Sequence, residues 1–306
     1  MTKLTKIGWL ILACYWVVAG LSCSRQPSVT VNSAHVLIDA TGQSLVLNIP
    51  PQRIVSLAPS LTENVYLLGC GEQLVGVTIY CTYPEAAKSK AKIGTLLESD
   101  IEKIISLKPD LVLATKEGNK PEIIKALRKL GISVFVFDEA YSLTDIQTSI
   151  TQLAQLLGKS HEAELLLAQV DERLKTVQAR IKSLKPCKVF IQVGFQPVMT
   201  VAAGTFIDEI VGLAGGINIA QDTKTRYPIY NLEEIITQDP ELIIVTDMGD
   251  IGVQAKEMWT KYPQLKAVQA GRVIILDTQA THDICAPTPE GFARSVETFA
   301  RIIHPE

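Results

Sequence analysis

The segment DIEKIISLKPDLVLA, residues 100–114, decides the fold, because the chain repeats it as NLEEIITQDPELIIV at residues 231–245. Both copies carry a capping residue, Glu at the third position, an Ile-Ile pair, and then proline, an acid and leucine. Asp100 or Asn231 favours a helix start, and proline ends the helix because it cannot continue the hydrogen-bond ladder. The Val, Ile and Leu run that follows predicts a buried parallel strand. The repeat therefore predicts two similar halves.

Strand and helix patterns alternate around both copies, and the strands are continuous apolar runs, which is typical of parallel α/β sheets. Between the copies, residues 142–185 have a helical pattern that Gly158 interrupts, and its second part covers 160–184. A helix of about 25 residues spans roughly 37 Å, enough to bridge two lobes. The predicted fold is α/β, with two similar parallel-sheet lobes joined by one long rigid helix. A ligand is expected between the lobes, at the carboxyl ends of the strands.

The N-terminus predicts export. Lys3 and Lys6 precede an apolar stretch that ends in small residues, which is the pattern of a secretory signal. This stretch of about fifteen residues is short for a membrane span, which needs ~20. The predicted segments are a signal peptide at 1–22, a tether at 23–34, an N-terminal α/β lobe at 35–141, a helical connection at 142–185 and a C-terminal α/β lobe at 186–306.

Cys23 follows the apolar stretch, and its placement resembles that of the lipidated cysteine of bacterial lipoproteins. Gly20 departs from the usual Leu or β-branched residue of such signals, so cleavage to a soluble protein and a retained anchor stay open as alternatives. Export implies an oxidising compartment. The spacing of the later cysteines leaves both buried thiols and three possible pairings open. These cysteines are Cys70, Cys81, Cys187 and Cys285.

Composition narrows the function class. The chain has 306 residues, 47% of them hydrophobic and 20% charged, with a net charge of −3, so nothing favours a polyanion partner. No phosphate loop, nucleophile elbow or zinc-hydrolase pattern occurs, and we predict that the chain is not an enzyme. Its four histidines are scattered, which argues against a zinc or manganese carrier.

Three further motifs, together with the repeat, point to a family. RIVSLAPSLTENVYLLG (53–69), LVGVTIYCTYP (74–84) and GTFIDEIVGLAGGINI (204–219) resemble the helical-backbone class of ABC-importer substrate-binding proteins. Within this class the chain is most similar to the cobalamin and corrinoid binders, and ferric-siderophore and haem binders are near neighbours. The resemblance covers about residues 50–305. It implies a monomeric, extracytoplasmic protein that carries a corrinoid as cargo, without a cofactor, to a permease dimer with its ATPase subunits.

The resemblance also implies one acidic residue on each lobe that meets arginines of the permease. The matching positions are Glu102 and Glu233, the third residue of each repeat copy. A two-fold permease needs two equivalent contacts, which an internal duplication supplies. Alternatively, the two carboxylates only stabilise helix N-termini, by ~0.3–1 kcal/mol each.

The loops after the strands should line the cleft. A corrinoid is a flat, amide-fringed macrocycle, so aromatic faces and amide partners are expected there, with metal ligation unnecessary. His282 offers an imidazole for cobalt or, alternatively, a loop histidine bonded to backbone. A tyrosine beside proline is also compatible with a packed turn. The predicted ligand-binding residues are Ser60, Tyr80, Tyr83, Asn119, Phe195, Gln196, Tyr227, Tyr230 and His282.

Two departures separate this chain from the cobalamin binder. Past the leader it contains only Trp259, on a helix away from the predicted cleft, whereas that protein surrounds its ligand with tryptophans. It also has Ala286 where that protein has a basic residue.

An anionic siderophore would favour clustered arginines, but the predicted cleft loops offer only Arg226 and Lys116. The corrinoid is therefore the first expectation, and a ferric siderophore or haem the alternative.

Overall fold

The computed structural model describes residues 36–47, 49–247 and 252–305. The predicted signal peptide (1–22), the tether (23–34) and Cys23 lie outside the described residues. Within the described ranges, none of the helices combines the length and hydropathy of a membrane span. The first element is a hairpin, in which β1 (Val36–Ile38) pairs antiparallel with β2 (Ser44–Val46).

The first lobe is built on a five-stranded parallel sheet. Its strands are β3 (Ile54–Ser56), β4 (Leu74–Val77), β5 (Ala91–Lys92), β6 (Leu111–Thr115) and β7 (Val134–Phe137). Its helices are α1 (Pro59–Leu67), α2 (Ile101–Ser106) and α3 (Pro121–Lys129). The strand order is β5-β4-β3-β6-β7. The order reverses between β3 and β6, which places a ligand crevice at the carboxyl ends of these strands.

Two helices connect the lobes, α4 (Leu143–Leu157) and α5 (Ser160–Ile181). Gly158, with φ +68°, ends α4 in the left-handed conformation that glycine adopts readily. Early in α5, Ala163 packs in the first lobe's core, whereas Val170 and Leu174 pack in the second lobe's core. The 22 residues of α5 span roughly 33 Å. This helix therefore runs from one core to the other.

The second lobe repeats the arrangement. Its strands are β8 (Cys187–Gly194), β9 (Met199–Thr200), β10 (Gly216–Asn218), β11 (Leu242–Val245) and β12 (Val273–Ile275). Its helices are α6 (Phe206–Leu213), α7 (Leu232–Gln238), α8 (Gly252–Trp259), α9 (Lys266–Gln269), α10 (Thr278–Asp283) and α11 (Pro289–Ile303). The parallel order β10-β8-β11-β12 matches β4-β3-β6-β7, and β9 adds to β8 antiparallel. The predicted α/β class with two parallel-sheet lobes is confirmed.

The two copies of the repeat adopt the same local structure. Asp100 accepts a hydrogen bond from the backbone N of Lys103 at 2.9 Å, and Asn231 accepts one from the backbone N of Glu233 at 3.0 Å. Both helices are followed by a residue with positive φ directly before the proline, Lys108 at 48° and Asp239 at 45°. This residue reverses the chain so that the strand after the proline enters the sheet.

The acid after each proline fixes the neighbouring strand. The carboxylate of Asp110 accepts hydrogen bonds from the backbone N of Gln52 at 2.8 Å and of Arg53 at 3.0 Å, just before β3. Glu241 accepts one from the backbone N of Lys188, near the start of β8, at 3.0 Å. The same pattern of proline, acid and strand therefore sets the register of the two central strands in each lobe.

Candidate ligand-binding site

A cavity of about 1000 Å³ lies between the lobes. The first lobe contributes the loops that follow β6 and β7, and the second contributes the segments before α6, before α7 and between α10 and α11. These are loops at the carboxyl ends of the two sheets, as the topology requires. The lining includes charged and aromatic side chains from both lobes, among them Glu117, Glu139, Tyr141, Lys224, Arg226 and Tyr227.

Tyr141 joins the two lobes at this cavity. Its hydroxyl donates a hydrogen bond to Oε2 of Glu117 at 2.6 Å, within the first lobe. The Arg226 guanidinium of the second lobe lies over its ring, with Cζ 3.7 Å from the ring centroid. The hydrogen bond to Glu117, with burial, raises the pKa of Tyr141 to about 12, so the phenol stays a neutral donor at physiological pH.

A second contact between the lobes involves Glu63 on α1 and His282 on α10. Glu63 Oε1 and His282 Nε2 form an ion-pair contact at 2.9 Å, and neither atom has a hydrogen bond of good geometry within the described residues. The Tyr83 ring packs on the imidazole, with centroids 4.9 Å apart. A smaller cavity of about 310 Å³ borders this contact and is lined by Glu63, Tyr83 and Arg294.

The environment of this pair favours a shared proton. Burial raises the pKa of Glu63, which is only 4% exposed, and the close contact with His282 opposes that shift. The same contact with Glu63 raises the pKa of His282, against a smaller opposing effect of burial. A protonated imidazole beside the carboxylate therefore satisfies both groups near neutral pH.

The structure brings some of the predicted ligand residues to the space between the lobes. Tyr227 lines the large cavity, Tyr83 lines the smaller one, and the Tyr83 ring packs on His282. Tyr80, which is 54% exposed, follows β4, and Ser60 is the half-buried second residue of α1. These positions lie at the carboxyl edge of the first sheet or on the facing loops of the second lobe.

Other predicted residues point elsewhere. The Asn119 amide is buried and committed, since Oδ1 accepts from Thr115 N at 2.8 Å and Nδ2 donates to the carbonyls of Leu57 and Leu96. Tyr230 is 5% exposed, and its hydroxyl donates to the Ile219 carbonyl at 3.1 Å. Both residues hold loops in place from inside their lobes. The hydrogen bonds of an inward amide and an inward phenol cannot be read from sequence.

The turn between β8 and β9 carries Phe195 and Gln196, which lie outside the lining of the large cavity. Phe195 packs against the second lobe's core, and Gln196 is exposed. His282 lies in the last turn of α10, where the sequence predicted a loop. Asp277 starts that helix by accepting a hydrogen bond from Ala280 N at 2.7 Å. So short a helix has no apolar periodicity to reveal it.

Sequence reasoning missed Tyr141 and Glu63. Tyr141 follows β7, so the rule that loops after strands line the cleft includes it and is the signal that could have found it. Glu63 lies within a helical pattern, and a buried glutamate there has no sequence signal. Among the described residues, no group of three or more His, Cys, Asp or Glu is arranged to hold a metal ion.

The predicted permease-facing glutamates, Glu102 and Glu233, both lie exposed in the first turn of α2 and α7.

Cys70, Cys81 and Cys187 are buried thiols. The sulfur of Cys81 lies 3.1 Å from the hydroxyl oxygens of both Thr62 and Thr78, so it is a packed group inside the first lobe.

Residues 54–280 match the sequence profile of a family described as periplasmic binding protein. The chain belongs to this family. A vitamin B12-binding protein of Yersinia pestis (strain Pestoides F) is 34% identical over 204 residues, which cover 66% of this chain and 72% of the relative. The periplasmic vitamin B12 binding protein of Vibrio cholerae has a similar crystal structure, with a TM-score of 0.70 and 30% identity over 84% of this chain and 100% of that one.

The chain is also similar to solved structures of other binding proteins. The periplasmic heme-binding protein RhuT of Roseiflexus sp. RS-1 matches with a TM-score of 0.71 and 27% identity, covering 83% of this chain and 99% of that one. The resemblance to ABC-importer substrate-binding proteins, with vitamin B12 binders among the similar relatives, is therefore confirmed.

Proposed function

We propose that this chain is an extracytoplasmic binding protein that captures cobalamin or a related corrinoid between its lobes. It delivers this cargo to the permease dimer of an ABC importer, and its activity is binding rather than catalysis. The observation that carries the proposal is the cavity of about 1000 Å³ between the lobes of a family member that is 34% identical to a vitamin B12-binding protein. This volume is at the upper end of ligand pockets, about 300–1000 Å³.

The lining suits a large, amide-fringed macrocycle. Tyr141 and Tyr227 offer aromatic faces from opposite lobes. We expect Tyr80 and Tyr83, which are exposed on the first lobe, to add to that surface. If about 300 Å² of apolar surface were buried, the gross gain would be about 7–8 kcal/mol. Association costs remove a sizeable part of this gain. Micromolar or tighter binding therefore requires no metal ligation by the protein.

Within this proposal, the Glu63–His282 pair holds the lobes together. His282 Nε2 faces Glu63 at 2.9 Å, so that nitrogen is not offered to cobalt. Ser60, Phe195 and Gln196 stay in the proposed contact set as ligand contacts of lesser weight, since none of the three lines the large cavity. Asn119 and Tyr230 support the loops and are left out of the proposed contact set, because their polar groups are bonded inside the lobes.

The exposed glutamates of the repeat supply the proposed permease contact. Glu102 and Glu233 stand at the same position of two helices that the duplication places equivalently in the two lobes. A permease dimer with two-fold symmetry can meet both with the same arginine pocket.

We further propose that residues 1–22 direct export and that Cys23 carries a lipid anchor. Radiolabelled fatty acid should enter the wild-type chain and not Cys23→Ser.

Haem or a ferric siderophore is the second candidate. It is favoured by the structural match to the heme-binding protein of Roseiflexus sp. RS-1 and by Lys224 and Arg226 in the cavity, since cations suit anionic cargo. A single experiment separates the candidates. The purified chain is mixed in turn with cyanocobalamin, dicyanocobinamide, haemin and a ferric siderophore, and the visible absorbance of each ligand is recorded. A spectral change with corrinoids alone supports the proposal, and a change with haemin or siderophore alone overturns it.

A further inference from the structure

The charged side chains of the cavity differ in whether they have partners within the protein. Glu117 accepts the hydrogen bond of Tyr141, and Glu139 Oε1 accepts one from the backbone N of Glu117 at 3.2 Å. Arg226 and Lys224, from the second lobe, form no ion pair with any residue in the described part of the chain. The two carboxylates of the cavity thus have partners within the first lobe, whereas the two cations are left for a ligand.

The Arg226 guanidinium is held in place on two sides. Nε donates a hydrogen bond to the carbonyl of Gly204 at 3.0 Å, and the Tyr141 ring covers the face of the group. The hydrogen bond to Glu117 fixes that ring in turn. The terminal nitrogens Nη1 and Nη2 have no hydrogen-bond partner within the described residues. A guanidinium that is fixed in this way presents its free fork, which matches the two oxygens of a carboxylate or phosphate.

We propose that Arg226 is a specificity-determining residue that binds an anionic oxygen group on the edge of the cargo, with Lys224 as an additional cation. In its corrinoid form this inference rests on the proposed function. Complete cobalamin carries one such group, the phosphodiester of its nucleotide loop, whereas cobinamide lacks it. Haem carries the same chemistry as propionate carboxylates. The subsite therefore predicts that the chain prefers ligands with this oxyanion over otherwise similar ligands without it.

Calorimetric titration tests the subsite with three corrinoids: cyanocobalamin, cobinamide phosphate and dicyanocobinamide. The wild-type chain should bind the two phosphate-bearing corrinoids about tenfold more tightly than cobinamide, the lower range for a charge-assisted hydrogen bond at an exposed site. Arg226→Gln should remove this preference, weakening the phosphate-bearing corrinoids about tenfold more than it weakens cobinamide. Arg226→Lys should keep part of the preference, because it keeps the charge but loses the fork.

Arg180→Gln is the matched control, since Arg180 is an exposed arginine of α5 and does not line the cavity. It should keep the full preference. Equal wild-type affinity for the three corrinoids, or an equal loss for all three in Arg226→Gln, would overturn the subsite while leaving corrinoid binding intact.

If the wild-type chain binds no corrinoid, the proposed function is wrong, and the subsite is tested with haemin and its dimethyl ester. Arg226→Gln should then weaken haemin about tenfold more than the ester, which lacks the carboxylates. Equal effects on both compounds, or no binding of either, would overturn the subsite as well.

Discussion

In the first lobe β3 runs directly into α1 at Pro59, whereas in the second lobe its counterpart β8 turns back as β9 before α6 begins. The difference lies at the carboxyl edges of the sheets, where the cavity is. The first lobe presents Glu117 and Tyr141 there, and the second presents two cations and Tyr227.

At the opposite edge the lobes are alike. Asp110 and Glu241 each bind the backbone at the start of the neighbouring central strand, and Lys108 and Asp239 make the same turn before the proline. The comparison separates two tasks. The duplicated units fix the frame and supply equivalent surface positions, while the loops that differ between lobes determine which ligand fits.

The largest effect is expected where the duplication is proposed to meet a two-fold partner. Glu102→Lys together with Glu233→Lys should reduce transport at least about 100-fold, because each change turns an attraction into a like-charge contact. Ligand affinity should be unchanged, since neither residue lines the cavity. Uptake of radiolabelled ligand by cells or proteoliposomes measures transport, and calorimetry measures affinity.

The matched control reverses two exposed glutamates of α5, Glu164 and Glu172. This double variant has the same net charge and should transport normally. Equal loss in both double variants would mean that overall charge, not the duplicated positions, governs docking.

The next effect concerns the contact that joins the two lobes. His282→Ala should lower the free energy of unfolding by about 2 kcal/mol, because it leaves the buried Glu63 carboxyl without its partner. Urea unfolding measures the change. Glu63→Gln keeps a hydrogen-bonding group of similar shape and should restore part of that loss when it is combined with His282→Ala. A double variant less stable than His282→Ala would contradict this role.

The same pair predicts a pH dependence. Both pKa values are raised in the folded state, so the folded chain binds more protons than the unfolded chain. Stability should therefore fall as pH rises, first above the ordinary glutamate pKa near 4.5 and then above the ordinary histidine pKa near 6.5. Between pH 5 and 9, the midpoint temperature of thermal unfolding should fall less in Glu63→Gln than in the wild type. Identical slopes would contradict the assignment.

A smaller effect is expected at Asp110 and Glu241, the carboxylates that accept backbone hydrogen bonds near the start of a central strand in each lobe. Asp110→Ala should cost about 1–2 kcal/mol, because two backbone N–H groups lose their acceptor, and Glu241→Ala about half of that, because one does. Both are measured by urea unfolding. Asp110→Asn and Glu241→Gln retain an acceptor and should be milder. A larger loss of stability at Glu241 than at Asp110 would contradict the expectation that the cost follows the number of lost backbone hydrogen bonds.

The smallest effect concerns the turn before each proline. Lys108→Gly should stabilise the chain by about 0.5 kcal/mol, because glycine adopts positive φ without the cost that a lysine side chain incurs. Asp239→Gly should destabilise it, since the carboxylate accepts a hydrogen bond from Lys266 N at 2.9 Å. Differential scanning calorimetry resolves both signs. Stabilisation by both substitutions would mean that the Asp239 contact contributes nothing.

The frame was predictable from sequence because its determinants are local. A capping residue, a proline and a run of Val, Ile and Leu act within fifteen residues, and their recurrence implies a second copy. The helical pattern over 160–184 likewise predicted α5, which ends at Ile181. These features need no knowledge of distant contacts.

The candidate site was predictable only in part. Tyr227 and Tyr83 reach the space between the lobes because the loops that carry them follow strands. The pairing of Glu63 with His282 and of Tyr141 with Arg226 depends on how two lobes meet, which no local pattern records. For a related reason the sequence does not reveal that the Asn119 amide is hydrogen-bonded to the backbone of its own lobe.

The most direct test of the central claim, that cargo binds between the lobes, is calorimetric titration of cyanocobalamin into the wild-type chain and into the Tyr141→Ala/Tyr227→Ala variant. The wild type should bind with micromolar or tighter affinity. The variant, which removes one aromatic face from each lobe, should bind about 100-fold more weakly if each ring contributes about 1.5 kcal/mol. Equal affinity in the two proteins would contradict binding between the lobes.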